Sequence, residues 1–463
     1  MTKDRIFIKV LSLIVIVFAL GVVCRNLGFN AQQSLSVSIF AMSILGTIFF
    51  WEFRLAFAFL GTSILLITKT IDMENLVMSA SLEVILFLIG MMVLIGLLKE
   101  SGVFAWIITL ILRVKNLNAK RFTLVLSVVS ALLACAVDEV TSIIFMVAAV
   151  LEICDYFEVN PVPFIIISVL STNIGSAGTV LGNPIGILIA SKAGLTFEDF
   201  ILKAFPIMIL CLSVSILLIF LIFKNDIRNL DKKMKELGAN EVLIKLISVP
   251  PDRPLKNALL IFGTTLFFIA LHHRLEIMLG LDPNTILLVV PLISSGLVMI
   301  WKWKRARKYI EHDVEWWTLL FFMLLFAQAG TLKYVGTTNL IADKLTAFTG
   351  NSPHLLIGSV IWISAIGSSI LDNVVLVAAF IPIIQSFQNV QLDSLWWALL
   401  FGGCLGGNIT IVGSTANIIA LGILEKERNI KISFLRWLSI GLIVGVVTLF
   451  VVWGCLVFLP GYK

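Results

Sequence analysis

The stretch that most limits what this chain can fold into is Ser171-Thr172-Asn173-Ile174-Gly175-Ser176-Ala177-Gly178-Thr179-Val180-Leu181-Gly182-Asn183-Pro184. It interrupts an apolar region that runs from about Pro163 to Ala190. At about 1.5 Å per helical residue that region is long enough to cross a bilayer. The glycines, asparagines and proline in its middle oppose one continuous helix. Irregular backbone at membrane depth survives only where protein surrounds it or where it lines a watery cavity. The sequence therefore predicts a broken membrane helix with a site at the break, over a merely kinked packing helix.

The same pattern recurs at Leu405-Gly406-Gly407-Asn408-Ile409-Thr410-Ile411-Val412-Gly413-Ser414-Thr415-Ala416-Asn417. Gly175, Thr179 and Gly182 match Gly406, Thr410 and Gly413, each pair 231 residues apart. Glu83 and Glu315 each open an apolar span 232 apart, while Gly102 and Gly336, and Asp138 and Asp372, are 234 apart. The chain is a duplication of a unit of about 200 residues. Paired interrupted segments in two halves point to a transporter's binding site.

Hydrophobic residues make up 59% of the chain and charged residues 13%. Soluble domains carry about a quarter charged residues, so this is a polytopic, all-α membrane protein. Its net charge of +6 belongs to basic loops and not to nucleic-acid binding. The six cysteines are scattered without a C-x-x-C pair, which reads as packing and argues against metal ligation or a disulfide framework.

About 11 spans are expected, near 6–23, 34–51, 53–70, 82–98, 163–191, 205–224, 257–272, 285–301, 314–331, 395–422 and 433–458. The first could pass for a signal peptide, but no small-residue cleavage site is evident near Cys24, so it reads as a retained helix. Basic clusters at Lys3–Lys9, at Arg113, Lys115, Lys120 and Arg121, in 225–256, at Lys302–Lys308 and at Lys426–Lys431 then share one side. That side is the cytoplasm of a cell inner (plasma) membrane, with the N-terminus cytoplasmic and the C-terminus outside. The expected organisation is an N-terminal helix over 1–33, a first repeat over 34–224, a cytoplasmic connector over 225–256 and an inverted second repeat over 257–463.

Two regions read as re-entrant hairpins. Residues 120–155 hold two apolar arms, each too short for an ordinary span, around Asp138-Glu139-Val140-Thr141. Residues 354–387 hold two more around Ser369, Asp372 and Asn373. A carboxylate inside one continuous membrane helix is costly, whereas a hairpin tip gives it a place. The first hairpin enters from the cytoplasm and the second from outside.

The two tips and the broken helices 163–191 and 395–422 define the candidate site: Asp138, Glu139, Thr141, Asn173, Gly175, Thr179, Gly182, Asn183, Asp372, Asn373, Asn408, Thr410, Gly413, Ser414, Thr415 and Asn417. A buried carboxylate needs a cation, a proton or a basic partner. No Lys or Arg falls in these tips or breaks, so sodium or a proton is the expected counter-ion, with possible sodium at the Asp138 and Asp372 sites. Unwound carbonyls at Gly175–Gly182 and Gly406–Gly413 are further candidate ligands. The half-helix starts after Asn183 and Ser414 suit an anion. Glu139, beside Asp138, points to proton carriage at that tip, and neutral Asn373 to a permanently ionised Asp372. His272 and His273, and the tryptophans 316, 317, 396 and 397, read as interfacial residues at span ends. No nucleophile, catalytic or metal-protease constellation is present, which argues against an enzyme. A channel is the other class that hairpins and broken helices can build.

The residues Thr172-Asn173-Ile174-Gly175 running into Gly182-Asn183-Pro184, and Leu395-Trp396-Trp397-Ala398-Leu399 running into Gly402–Asn408 and Ala416-Asn417, resemble the ion transporter superfamily. The branch it resembles is citrate-transporter-like and includes melanosomal P protein, arsenite efflux permeases and D-type sodium–proton antiporters; sodium–dicarboxylate carriers are more distant. The resemblance implies a scaffold domain and a mobile transport domain, usually in a homodimer, that move as an elevator and hold cations at each tip. Where dicarboxylate carriers resemble Ser-Asn-Thr at both tips, this chain reads Asp138-Glu139-Val140-Thr141 and Asp372-Asn373-Val374, a more acidic pair. The transported species implied is a cation exchanged for protons, or an anion such as a citrate-like acid or an arsenite-like oxyanion.

Overall fold

The structure is a computed structural model that describes residues 3–50, 53–114, 117–236, 252–350, 352–387 and 392–462. The side chains of residues 3–7, 112 and 460 are excluded from that description. Lys115 and residues 237–251 of the expected connector lie outside the described residues. Among the described residues there is no strand.

The first half runs α1 (Lys3–Asn26), α2 (Ala31–Phe49), α3 (Arg54–Ile67), α4 (Met73–Ser79), α5 (Leu82–Glu100) and α6 (Val103–Leu112), then α7 (Ala119–Ala136), α8 (Glu139–Tyr156), α9 (Val162–Gly175), α10 (Pro184–Ala193) and α11 (Phe197–Ile222). Helix α12 (Lys224–Glu236) begins the connector. The second half runs α13 (Arg253–Ala270), α14 (His272–Leu279), α15 (Thr285–Trp301), α16 (Trp316–Tyr334) and α17 (Thr337–Thr349), then α18 (Pro353–Ile370), α19 (Asn373–Ile384), α20 (Asp393–Gly406), α21 (Thr415–Arg428) and α22 (Phe434–Phe458). Among the described residues eight helices are long and apolar enough to cross a membrane, or nine if α13 and α14, bent by 63°, form one span.

Both interruptions are real breaks. Helix α9 ends at Gly175 and α10 starts at Pro184; α20 ends at Gly406 and α21 starts at Thr415. Both hairpins are also broken at their acidic tips, with α7 packed on α8 and α18 on α19. The arms α7, α8 and α18 are 18 residues each, longer than the apolar runs suggested. Asn118 starts α7 further upstream by accepting from the Arg121 N–H (2.9 Å), and α8 runs on through Glu152, Asp155 and Tyr156, which a hydropathy reading leaves out.

Lipid offers no hydrophobic drive for helix pairing, so close contact depends on small residues. The first arm of each hairpin lies directly on the first half of the broken helix in the same repeat. A Cβ on Gly175 would sit 2.2 Å from the Ala131 carbonyl oxygen, and one on Gly406 would sit 2.4 Å from that of Ala365. Ala131 and Ala365 are themselves 234 apart, so the duplication is preserved down to the contact.

Helices α2, α3, α5, α13, α15 and α16 form a framework beside the hairpins and broken helices. Helix α5 packs on α15, and α16 on α2 and α3. The links from framework to hairpins are α6 and α17. Each starts after a glycine in the left-handed region, Gly102 (φ 74°) and Gly336 (φ 75°), a backbone turn that other residues adopt only with strain.

Three interfacial assignments change. His272 is buried at the α13–α14 bend, with Nδ1 2.9 Å from the Ile269 carbonyl, while His273 is exposed. Trp396 and Trp397 are buried inside α20, and Trp397 packs edge-on against Phe200 of α11 at 5.0 Å. Trp316 and Trp317 are exposed, as a span end predicts. All six cysteines are buried and free.

Candidate functional site

The two hairpin tips touch. Asn373 Nδ2 donates to Glu139 Oε1 at 3.2 Å, joining residues 234 apart in the sequence and equivalent in the two repeats. Both are almost fully buried, Glu139 at 2% and Asn373 at 1% exposure. Among the described residues, Glu139 Oε2 and Asn373 Oδ1 have no hydrogen-bond partner. Ser176 stands beside the carboxylate but gives its hydroxyl to the Asn173 carbonyl (3.0 Å). Two buried acceptors without a donor cost free energy unless a cation or a proton supplies the missing positive charge.

The flanking aspartates act first as helix caps. Asp138 accepts from the Thr141 N–H and hydroxyl, both at 2.7 Å, and starts α8. Its backbone sits at φ 142°, ψ 164°, a region occupied almost only by glycine. Asp372 starts α19 and accepts from the Val374 N–H (3.0 Å) and from the Thr415 hydroxyl (2.7 Å) at the second break. Each aspartate thus keeps two donors, whereas Glu139 keeps one on Oε1 and none on Oε2.

The predicted break residues separate into two groups. Asn173, Asn408, Ser414 and Asn417 form a closed network. Asn173 Nδ2 donates to Asn408 Oδ1 (2.8 Å) and Asn417 Oδ1 (2.9 Å), and Ser414 donates to Asn173 Oδ1 (3.1 Å). Asn417 Nδ2 donates to the carbonyls of Gly407 (2.7 Å) and Thr410 (2.8 Å). These groups satisfy one another and tie the two breaks together. Asn183 Oδ1 caps α10 through Gly186 N–H (2.9 Å) and Ser414 caps α21 through Ala416 N–H (3.2 Å), so both half-helix starts already carry a side-chain acceptor.

Thr179 and Thr410 do matching work. Thr179 donates to the Cys135 carbonyl (2.5 Å) and Thr410 to that of Ser369, each pinning its break to the adjoining hairpin arm. The Gly175 carbonyl accepts from the Cys135 thiol (2.9 Å) and from Gly178 N–H (2.8 Å). Gly182 and Gly413 are required sterically: a Cβ would meet the Ser176 carbonyl at 2.2 Å and that of Ser368 at 2.8 Å. The carbonyls of Gly175, Gly407 and Thr410, expected as open ion ligands, are therefore occupied by the protein's own donors.

A cavity of about 200 Å³ opens onto Asp138, Glu139, Thr141, Asn183 and Thr415. Its other wall is the framework, with Met91, Met92 and Lys99 from α5, and His312, Asp313, Glu315 and Thr318 at and before α16. Sequence reading did not place Lys99, His312, Asp313 or Thr318 here, and treated Glu315 only as a landmark of the repeat. The one signal was the pairing of Glu315 with Glu83. Glu83 instead meets Lys192 on α10 at 2.8 Å. A second cavity of about 360 Å³ is lined by Lys192, Phe326, Ala329, Gly330, Lys333 and Ala378 among others. Phe326, Ala329, Gly330, Lys333 and Ala378 lie 234 residues after Met92, Ile95, Gly96, Lys99 and Ile144 of the first cavity. The two cavities are thus repeat-related, and of the tip residues only the first reaches Asp138 and Glu139.

Helical hairpins meeting broken helices beside a cavity, in a chain with this many apolar helices, are an architecture of membrane transport proteins. The chain belongs to the citrate transporter family: the family profile described as "CitMHS: Citrate transporter" matches residues 44–402. An uncharacterized transporter of Mycobacterium tuberculosis is 31% identical over 372 residues, covering 79% of this chain and 84% of that protein. The human P protein is 27% identical, with 78% of this chain matching 51% of its length. Among solved structures, the Alcanivorax borkumensis YdaH transporter superposes with a TM-score of 0.53 at 15% identity, covering 82% of this chain and 86% of that one. That likeness concerns the fold alone.

Proposed function

We propose that this protein is a secondary active transporter that couples a cation, sodium or a proton, to the movement of its substrate through the cavity at the hairpin tips. The observation that carries this reading is the pair of buried, unpartnered acceptors at the tip contact, Glu139 Oε2 and Asn373 Oδ1. They offer carboxylate and amide oxygens to a hard monovalent ion, or a basic oxygen to a proton.

The family suggests a citrate-like acid as the substrate class, and the wall charges set the condition for carrying it. A citrate-like carboxylate beside Asp138, Glu139, Asp313 and Glu315 is repelled unless cations accompany it, so carboxylate movement here is cation-coupled. Lys99 on the same wall offers a direct anion contact. Exchange of a cation for protons is the second reading, favoured by that same excess of carboxylates.

In this reading the hairpins, the broken helices and α11 and α22 move against the framework, with α6 and α17 as the connecting arms and Gly102 and Gly336 at their starts. The chain sits in the cell inner membrane as a homodimer with its N-terminus in the cytoplasm. Purified protein in proteoliposomes, with sodium and pH gradients imposed separately, tests this. Uptake of citrate-like acids driven by one of these gradients is expected. Gradient-independent passage with unitary conductance steps would instead mark a channel.

A further inference from the structure

The two repeat-related cavities differ in charge. They lie at opposite ends of α5 and α16, two helices of 19 residues and so about 28 Å long. The first is lined by Lys99 near the end of α5 and by Glu315 just before α16; the second is lined by Ser81 just before α5 and by Lys333 near the end of α16. Their walls are built alike. A Cβ on Gly96 would meet the Asp313 carboxyl at 3.0 Å, and one on Gly330 would meet the Ser79 side chain at 2.3 Å. Gly96 and Gly330 are 234 residues apart, and so are Ser79 and Asp313.

At that spacing His312, Asp313 and Glu315 of the first cavity are matched by Met78, Ser79 and Ser81 of the second, while Lys99 is matched by Lys333. The first cavity sets Lys99 and His312 against four carboxylates, Asp138, Glu139, Asp313 and Glu315. The second holds Lys333 and Lys192 and, among the described residues, no carboxylate in its wall. Lys333 Nζ donates to the neutral Gln385 Oε1 (2.8 Å) and makes no ion pair among the described residues. Gln385 Nε2 donates in turn to the Lys192 carbonyl (3.2 Å). Lys192 Nζ meets Glu83 at 2.8 Å, a pair whose side chains stay 28% and 44% exposed and which water therefore weakens.

We propose that the second cavity is a docking vestibule for a small multivalent anion, held by Lys333 and Lys192 at the opposite end of the framework from the acidic tip cavity. Only the identity of that anion rests on the carboxylate reading above. A cavity walled by one sign of charge concentrates the opposite sign. A lysine ammonium on its flexible stem can leave a neutral amide for a carboxylate, which makes the stronger, charge-assisted bond. Serines in place of the first wall's Asp and Glu leave that field uncancelled.

The test uses the full chain in detergent, where both cavities meet solvent. All six native cysteines are buried, so M78C and H312C each place one reactive thiol at matched, exposed positions of the two walls. Each is reacted with anionic sulfonatoethyl and cationic trimethylammonioethyl methanethiosulfonate, with rates taken relative to a free thiol. M78C should favour the anionic reagent by about tenfold more than H312C does, and high salt should shrink the difference. In the M78C background K333Q should reduce the preference, and so should S79D, which copies the first wall; K333R should keep it. Citrate, at an ionic strength fixed with choline chloride, should slow M78C modification, and K333Q should need about tenfold more citrate for the same slowing.

Equal charge preference at the two thiols, a preference unmoved by K333Q and S79D, or no protection by citrate would overturn the vestibule. Protection by citrate without citrate uptake in proteoliposomes would instead sink the carboxylate reading and leave the vestibule standing.

Discussion

Replacing Glu139 by Gln separates charge from shape at the tip contact. Gln keeps the volume and an acceptor for the Asn373 amide, now 3.2 Å away. It also places N–H donors where Oε2 has none, so the fold should hold or gain slightly. What disappears is the negative charge facing a bound cation. Two unit charges about 4 Å apart at an effective dielectric of about 20 interact by about 4 kcal/mol. That corresponds to about a thousandfold in cation affinity. The assay is gradient-driven uptake in proteoliposomes, with sodium varied at fixed pH and pH varied at fixed sodium. Coupled uptake should vanish at ordinary cation concentrations while the melting temperature stays at the wild-type value. Wild-type uptake with unchanged cation dependence would remove Glu139 from the mechanism; a large fall in melting temperature would show that the carboxylate is structural.

Other substitutions probe the frame around that site. Asn173→Ala strips donors from the buried Asn408 and Asn417 oxygens, at a cost of about 1–3 kcal/mol for each stranded group, and should lower the melting temperature by several degrees. Gly175→Val drives a side chain into the Ala131 backbone and should cost about 1–3 kcal/mol or more in strain; Gly422→Ala, inside α21 and meeting nothing within 4 Å, is the control and should leave the melting temperature unchanged or raise it slightly through helix propensity. At Asp138, with φ 142°, substitution to Ala should destabilise more than substitution to Gly, since only Gly relaxes a backbone strain of about 1–3 kcal/mol; equal melting temperatures for the two would show that this strain is absent.

The breaks, the duplication and both hairpin tips were legible in the sequence because each is written locally. Gly, Asn and Pro inside an apolar run oppose a helix wherever they occur, and Asp138-Glu139 splits its run in the same way. What stayed hidden depends on which helices become neighbours. Thr318 and Arg54 are 264 residues apart and meet only because α3 packs on α16. The burial of Trp397 depends on Phe200, and its hydropathy context resembles a membrane surface until α11 covers it. The candidate site residues lie near one another in the structure, but the division among them is not written in the sequence. The polar break residues read alike in sequence, yet Asn173, Asn408, Ser414 and Asn417 spend their hydrogen bonds on one another, while Glu139 does not.

The tip contact also bears on how such a chain can be assembled from two like halves. Glu139 and Asn373 hold equivalent positions, so a protein made of two first halves would set two carboxylates face to face. One made of two second halves would set two neutral amides there. The first would repel itself, and the second would bring no charge to a cation. Only the unlike pair gives one negative charge with an amide to orient it. On the proposed reading, the difference between the halves at Glu139 and Asn373 is what gives the tip contact its single charge, a combination that two copies of either half would lack.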